Sequence, residues 1–156
     1  NIINNEICVS GKSVMEGYWN DDLKTNEKIF TDINSKKWYK TGDSGYIKDD
    51  FLYYNGRISE NYKLNNGKFV NVSEIECVIK KFVNSNFIVF GENNKHNSLI
   101  CENAIDNETI NKINTEISKE LQIKNVIVVT PEVMGEFLTP KLSIKRNKLI
   151  DYVMKK

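Results

Sequence analysis

The sequence lacks the features by which several large functional classes announce themselves. It has almost no net charge: 22 Lys and Arg against 21 Asp and Glu leave +1 over 156 residues, too weak a field to draw in nucleic acid or an anionic membrane. Partners must therefore be recognised locally. No run approaches the ~20 consecutive apolar residues of a spanning helix, which leaves only peripheral contact with a membrane. Cys8, Cys77 and Cys101 stand at wide spacings without a CxxC, and His96 is the one histidine, so neither a disulfide framework nor a metal site is indicated. Reduced, mostly buried thiols in an intracellular, cytoplasmic setting are the expectation. The opening Asn1-Ile2-Ile3-Asn4-Asn5 has neither the basic start nor the apolar middle of a secretory signal, and no initiating Met; a piece of a longer polypeptide is expected. No internal repeat is visible.

What is present is an apolar fraction of 40%, enough to bury the core of one medium domain or two small ones. The first third reads as short strands rich in β-branched and aromatic residues: Glu6 to Val9, Trp38 to Lys40, Tyr46-Ile47 and Phe51 to Tyr54. Lys48-Asp49-Asp50 forms a hairpin loop, and Asn55-Gly56 supplies residues that tolerate positive φ. After Arg57 the pattern changes to strands mixed with helices, which places a boundary near residues 56 to 60. Ser73 and Glu76 have the spacing of a capping box, ahead of an apolar face of Ile75, Val78, Ile79 and Phe82. Phe87 to Phe90, Ser98 to Cys101 and Val126 to Val129 read as strands. A helix is predicted over Asn107 to Leu121, capped by Asp106, and a last one carries Leu149, Ile150 and Val153. The stretch from Pro131 to Arg146 has little periodicity. The fold class is α+β, with helices packed on a small sheet.

Four groups of residues can carry chemistry. Asp43 follows Gly42 at a strand end, where a carboxylate can accept both hydroxyl hydrogens of a ribose diol; an ordinary Asx turn would look the same. Arg57 falls one hairpin later, so its guanidinium can come near Asp43 or near a sugar and phosphate. Lys63, Gly67 and Lys68 sit on a hairpin through Asn65-Asn66-Gly67, where exposed backbone can pass close to a narrow ligand or simply turn. Lys141, Lys145, Arg146 and Lys148 follow Pro140, and a mobile Lys there can set a point charge on a phosphate or carboxylate. His96, in a polar turn, reads as surface and inert.

Taken in order, Glu6 to Gly11, Val14 to Trp19, Trp38-Tyr39-Lys40-Thr41-Gly42-Asp43, Gly56-Arg57, Gly67 to Glu76 and Leu138 to Arg146 resemble successive stretches of the adenylate-forming superfamily. Within it the chain looks most like a long-chain fatty-acid CoA ligase, an AMP-forming acyl-CoA synthetase. The absence of a carrier-domain serine motif also favours a stand-alone ligase over a peptide-synthetase module. The resemblance implies that residues 1–56 are the β-rich end of a large adenylation domain and 57–156 a mobile carboxy-terminal domain. No Ser/Thr/Gly-rich phosphate loop followed by Lys is present, so the rest of the large domain is expected elsewhere in the same chain.

By the same resemblance, Asp43 holds the ribose hydroxyls and Arg57 contacts the same nucleotide, with Thr41 beside them. Gly67 and Lys68 lie against the pantetheine arm of CoA. Ser59 and Glu60 mark the hinge. The lysine that neutralises charge between the acyl carboxylate and the α-phosphate is expected at position 143, where this chain has Ser143; Lys145, then Lys141, are the expected substitutes. Fatty acid, ATP and CoA are the implied substrates, with Mg2+ accompanying ATP in a full-length enzyme. The fragment alone is expected to be inactive. The Ser143 departure keeps a second reading open, a noncatalytic protein-interaction module on the same fold, whereas a nucleic-acid module fits poorly with the balanced charge.

Overall fold

The computed structural model describes residues 1–155; Lys156, the last residue of the second predicted domain, lies outside the described residues. The chain forms two compact units, Asn1–Glu60 and the residues from Asn61 on.

The first unit is built around one long strand. β1 (Ile2–Ile3), β2 (Glu6–Val9), α1 (Asp22–Lys28), β3 (Ile29–Thr31), β4 (Lys37–Lys48) and β5 (Phe51–Arg57) follow in order, closed by a 3-10 turn at Ile58–Glu60. β4 has β2 and β3 on either side of its first half, and its second half pairs with β5, every pairing antiparallel. The two short strands predicted at 38–40 and 46–47 are thus one continuous strand. Asp49 and Asp50, both at positive φ (49° and 63°), make the hairpin turn, as a two-residue loop between right-twisted strands requires. Trp38 is buried and donates its indole N–H to Asp32 Oδ2 at 2.9 Å. Gly45 is obligatory here, because a Cβ would lie 2.5 Å from the Tyr53 carbonyl oxygen and 2.8 Å from Ile7 Cδ1. α1 escaped the sequence reading: none of its residues is buried, so it carries no apolar stripe, and only the Asp21 cap, accepting from the Lys24 amide, signals it.

The second unit begins with a hairpin, β6 (Tyr62–Lys63) and β7 (Phe69–Val70). It continues through α2 (Val72–Ile79), β8 (Phe87–Phe90), β9 (Asn97–Cys101), α3 (Asn107–Glu116), β10 (Ile123–Val128), α4 (Pro131–Glu136) and α5 (Arg146–Met154). β9 lies at the centre of a three-stranded sheet, antiparallel to β8 and parallel to β10, and is buried throughout. Alternation along the strands divides the core. Val89, Leu99 and Cys101 pack with Val72, Ile75 and Ile79 of α2 and Ile113 of α3. Ile88, Phe90 and Ile100 pack with Met134 of α4 and Leu149 of α5. The small sheet therefore carries helices on both faces, an α+β arrangement.

Several local expectations are corrected. The capping box does not form: α2 starts after Asn71 without a side-chain cap hydrogen bond, and Glu76 is used elsewhere. Its Oε1 accepts from the Val89 amide at 3.0 Å and from Arg146 at 2.7 Å, while Arg146 donates through its second nitrogen to the Val89 carbonyl at 2.7 Å. The helix predicted to run to Leu121 ends at Glu116, and a separate 3-10 turn spans Lys119–Leu121; Asn114 turns the chain by bonding both backbone groups of Ile123. Asp106 does cap α3, accepting from the Thr109 amide at 2.8 Å. The aperiodic stretch contains α4, opened by the Thr130 hydroxyl and Pro131.

Cys8 and Cys101 are buried, Cys77 is exposed, and all three are free. Burial pushes the Cys101 thiol up to about 11, and burial, with the Glu6 carboxylate adding to it, raises that of Cys8. Thiolate is the reactive form, so a thiol reagent at pH 8 should titrate Cys77 rapidly and the other two only on unfolding; rapid reaction of two or three thiols in the native chain would contradict the packing. Urea denaturation should show Arg146→Ala costing about 3 kcal/mol, the range for breaking a buried charge pair. A double-mutant cycle with Glu76→Ala should give a coupling above about 1 kcal/mol.

Candidate functional site

The register of β4 against β5 sets Asp43 opposite Arg57. Two residues of β5, Asn55 and Gly56, lie between the pairs Asp43↔Arg57 and Gly45↔Tyr54, where β4 has only Ser44. This bulge, with Gly56 at φ +87°, re-aims the strand end. The result is an ion pair, Arg57 to Asp43 Oδ1 at 2.9 Å, with side chains 51% and 28% exposed. Arg57 also donates to the Thr41 carbonyl at 2.9 Å. Thr41 shapes the turn: its hydroxyl donates to the Ile7 carbonyl at 2.8 Å and accepts from the Asp43 amide at 3.1 Å. Gly42, at φ +79°, donates its amide to Glu6 Oε1. Thr41, Asp43 and Arg57 are thereby brought together, and the acid keeps an oxygen, Oδ2, outside the ion pair.

Tyr54, opposite Gly45 on β5 and 63% exposed, feels the charges of this corner. The partial burial it has raises its phenol, the Asp43 and Glu60 carboxylates push it further up, and Arg57 opposes them. Ser59 and Glu60 close the first unit in the 3-10 turn.

The remaining candidates belong to the second unit. Gly67, at φ +80° and with open space where a Cβ would stand, occupies the β6–β7 hairpin. Backbone conformation, not crowding, selects glycine there, and its face stays accessible. Lys68 pairs with Glu120 at 2.6 Å. Lys141 and Lys145 differ in setting, because the segment from Leu138 to Ile144 closes on itself as a turn. Leu138 and Ile144 form an antiparallel bridge, and between them the Ser143 hydroxyl is hydrogen-bonded to that of Thr139 at 2.7 Å. Lys141 stands exposed in the turn. Lys145 opens α5; its amide donates to the Phe137 carbonyl at 2.7 Å and its Nζ approaches the Glu136 carbonyl at 3.5 Å. Arg146, read with Lys141, Lys145 and Lys148 as one basic stretch, is instead the anchor of α5.

No family model matches the chain. D-alanine--D-alanyl carrier protein ligase of Bacillus mycoides is 31% identical over 160 residues, covering 95% of this chain and 31% of the relative. The ligase of the same name from Listeria monocytogenes is 41% identical over 76 residues, 49% of this chain and 14% of the relative. The chain thus spans under a third of the length of these curated relatives. Among solved structures, the A domain of a carboxylic acid reductase from Segniliparus rugosus, in complex with AMP and a co-purified carboxylic acid, superposes with a TM-score of 0.76 at 18% identity, over 96% of this chain and 27% of that one. The adenylation domain of a carboxylate reductase from Mycobacterium chelonae gives 0.74 at 19%, over 96% and 26%. At such identities the agreement is one of fold.

Leu142 sits at φ +60° with its side chain 75% exposed, a left-handed conformation that costs a non-glycine residue about 1–2 kcal/mol. With little burial to lose, Leu142→Gly should stabilise the chain by about 0.5–1 kcal/mol, after the extra backbone entropy of glycine is subtracted. Thermal or urea unfolding checks this, and destabilisation would show that the turn is not strained.

Proposed function

We propose, for a chain that belongs to the adenylate-forming superfamily and matches its carboxy-terminal portion, that it is the closing part of a ligase that activates a carboxylate with ATP as an acyl-adenylate. The Asp43–Arg57 pair carries this reading. Arg57 fixes one carboxylate oxygen, and the second can accept a ribose hydroxyl in a charge-assisted hydrogen bond. Attack of a carboxylate on the α-phosphate brings two anions together, and a lysine that neutralises the developing charge lowers the barrier. Lys145, whose backbone is tied to Phe137, is the better fixed candidate, and Lys141 the more mobile one.

The division of the chain after Glu60 supports Ser59 and Glu60 as a hinge between the end of a large domain and a mobile small one. The open face of Gly67, with Lys68 beside it, supports a contact for a pantetheine arm. The names of the relatives favour an amino acid such as D-alanine as the carboxylate and a carrier protein as the acceptor. The order of motifs from Glu6 to Arg146 supports the fatty acid and CoA reading. Ser143, bonded to Thr139 where a lysine is expected, favours a noncatalytic module that docks on a partner protein. An intracellular site, with peripheral membrane contact at most, is part of the proposal.

Pyrophosphate release by the full-length parent, measured with D-alanine, other amino acids and fatty acids, separates these readings. An amino acid should give the highest rate, and release with none of them would favour the noncatalytic module. Asp43→Ala and Lys145→Ala should each lower adenylation by about 10². Lys145→Ala should spare transfer from supplied acyl-adenylate; unchanged adenylation in that variant would remove Lys145 from the mechanism.

A further inference from the structure

The loop that leads to Lys145 is stiff in itself, and its freedom lies at its two roots. Leu138 and Ile144 form its closing bridge. Inside it the Thr139 amide donates to the Ser143 carbonyl and the Leu142 amide to the Thr139 carbonyl, each at 2.8 Å, while the Lys145 amide ties the loop to the Phe137 carbonyl. One root is α4, seated by fully buried Met134. The other is the first turn of α5, which starts after Lys145 with no side-chain cap. An uncapped helix end leaves its first amides without partners and frays.

Arg146 supplies the missing restraint. It is the first residue of α5, and its side chain reaches Glu76 Oε1 through Nη1 and the Val89 carbonyl through Nη2, each at 2.7 Å. Glu76 Oε1 also accepts from the Val89 amide at 3.0 Å, so a planar fork is held at both nitrogens by groups on α2 and β8. Tyr62 feels both charges: burial raises its phenol, Arg146 opposes the rise and Glu76 adds to it. Its hydroxyl is fixed in turn on Asn97 Oδ1 at 2.7 Å. An ion pair as dry as this one returns little stability over apolar packing of the same volume. What it adds is direction, because two donors on a rigid guanidinium admit one orientation of the first turn of α5, and Lys145 is the residue before that turn.

We infer that Glu76 and Arg146 are positioning residues for adenylation, setting Lys145 for its charge-neutralising role through the first turn of α5. The inference rests on the reading of Lys145 given above, and it assigns the pair no contact with substrate.

In the full-length parent, Glu76→Gln removes the charge and keeps an acceptor for the Val89 amide, and Arg146→Lys keeps the charge and gives up one of the two donors. Each variant thus loosens the pair without emptying its place. Each should lower kcat for pyrophosphate release about tenfold, as a small misplacement of a catalytic group does. KM for ATP and for the carboxylate should stay unchanged, and transfer from supplied acyl-adenylate should be spared. Added to Lys145→Ala, either change should cost less than about twofold more, because groups that act as a unit do not lose activity additively. Losses that multiply in the double variants, an equal fall in transfer, or full kcat in both single variants would overturn the inference while leaving Lys145 in its role. If Lys145→Ala itself adenylates at the full rate, the reading of Lys145 falls first and the inference falls with it.

Discussion

The second unit depends on how the edge of its sheet is closed. β8 is an edge strand, and an edge leaves backbone groups that must find partners or invite another strand. At Val89 the partners are side chains: Glu76 of α2 takes the amide hydrogen and Arg146 of α5 supplies the carbonyl with a donor, while the two charges pair with each other at 2.7 Å. Each side chain is 15% exposed, dry enough for the charge-assisted bonds to be strong. One carboxylate and one guanidinium thus join two helices that pack on opposite faces of the sheet, through its edge. The start of α5 follows, because Arg146 is its first residue and Lys145 and the Leu138–Ile144 bridge lie directly before it.

Much of the fold was legible wherever burial and period agree. β8, β9 and β10 are apolar runs of strand length, and α3 has an acid cap followed by an apolar face; each appears close to where the sequence put it. Failures occur where a tertiary partner outbids a local signal. Ser73 and Glu76 have capping-box spacing, yet the box would close one helix end, whereas Glu76 on Val89 and Arg146 closes a sheet edge and an ion pair. α1 and α4 lacked apolar periodicity over lengths of seven and six residues. β4 read as two fragments because its middle, Thr41-Gly42-Asp43, looks like a turn. It is a strand bent at Gly42, held there by Glu6 and Thr41.

For the candidate site, residue types and order were readable, but contacts were not. Asp43 and Arg57 could be placed a hairpin apart, and only the β5 bulge decides that they meet. Two-residue spacing from position 143 does not place Lys141 and Lys145, because the bridge from Leu138 to Ile144 makes the segment a turn. Lys141 in the turn and Lys145 at a helix start therefore differ in freedom, a distinction that spacing cannot supply.

The chain's two arginine–carboxylate pairs show why composition alone says little about role. Glu76–Arg146 is mostly buried and saturated with backbone bonds, so removing either partner strands a charge and two peptide groups. Asp43–Arg57 is 28% and 51% exposed, and a pair so hydrated contributes about 0–1 kcal/mol to stability. Stability therefore gives little reason for the detail around it: a bulged strand, two glycines at positive φ, and a threonine hydroxyl spent on fixing the Asp43 amide. Those features restrict where one carboxylate oxygen points. A carboxylate held in that way, accessible and only half engaged by its arginine, is suited to hydrogen-bond donors that arrive from outside the chain, and a ribose diol supplies two.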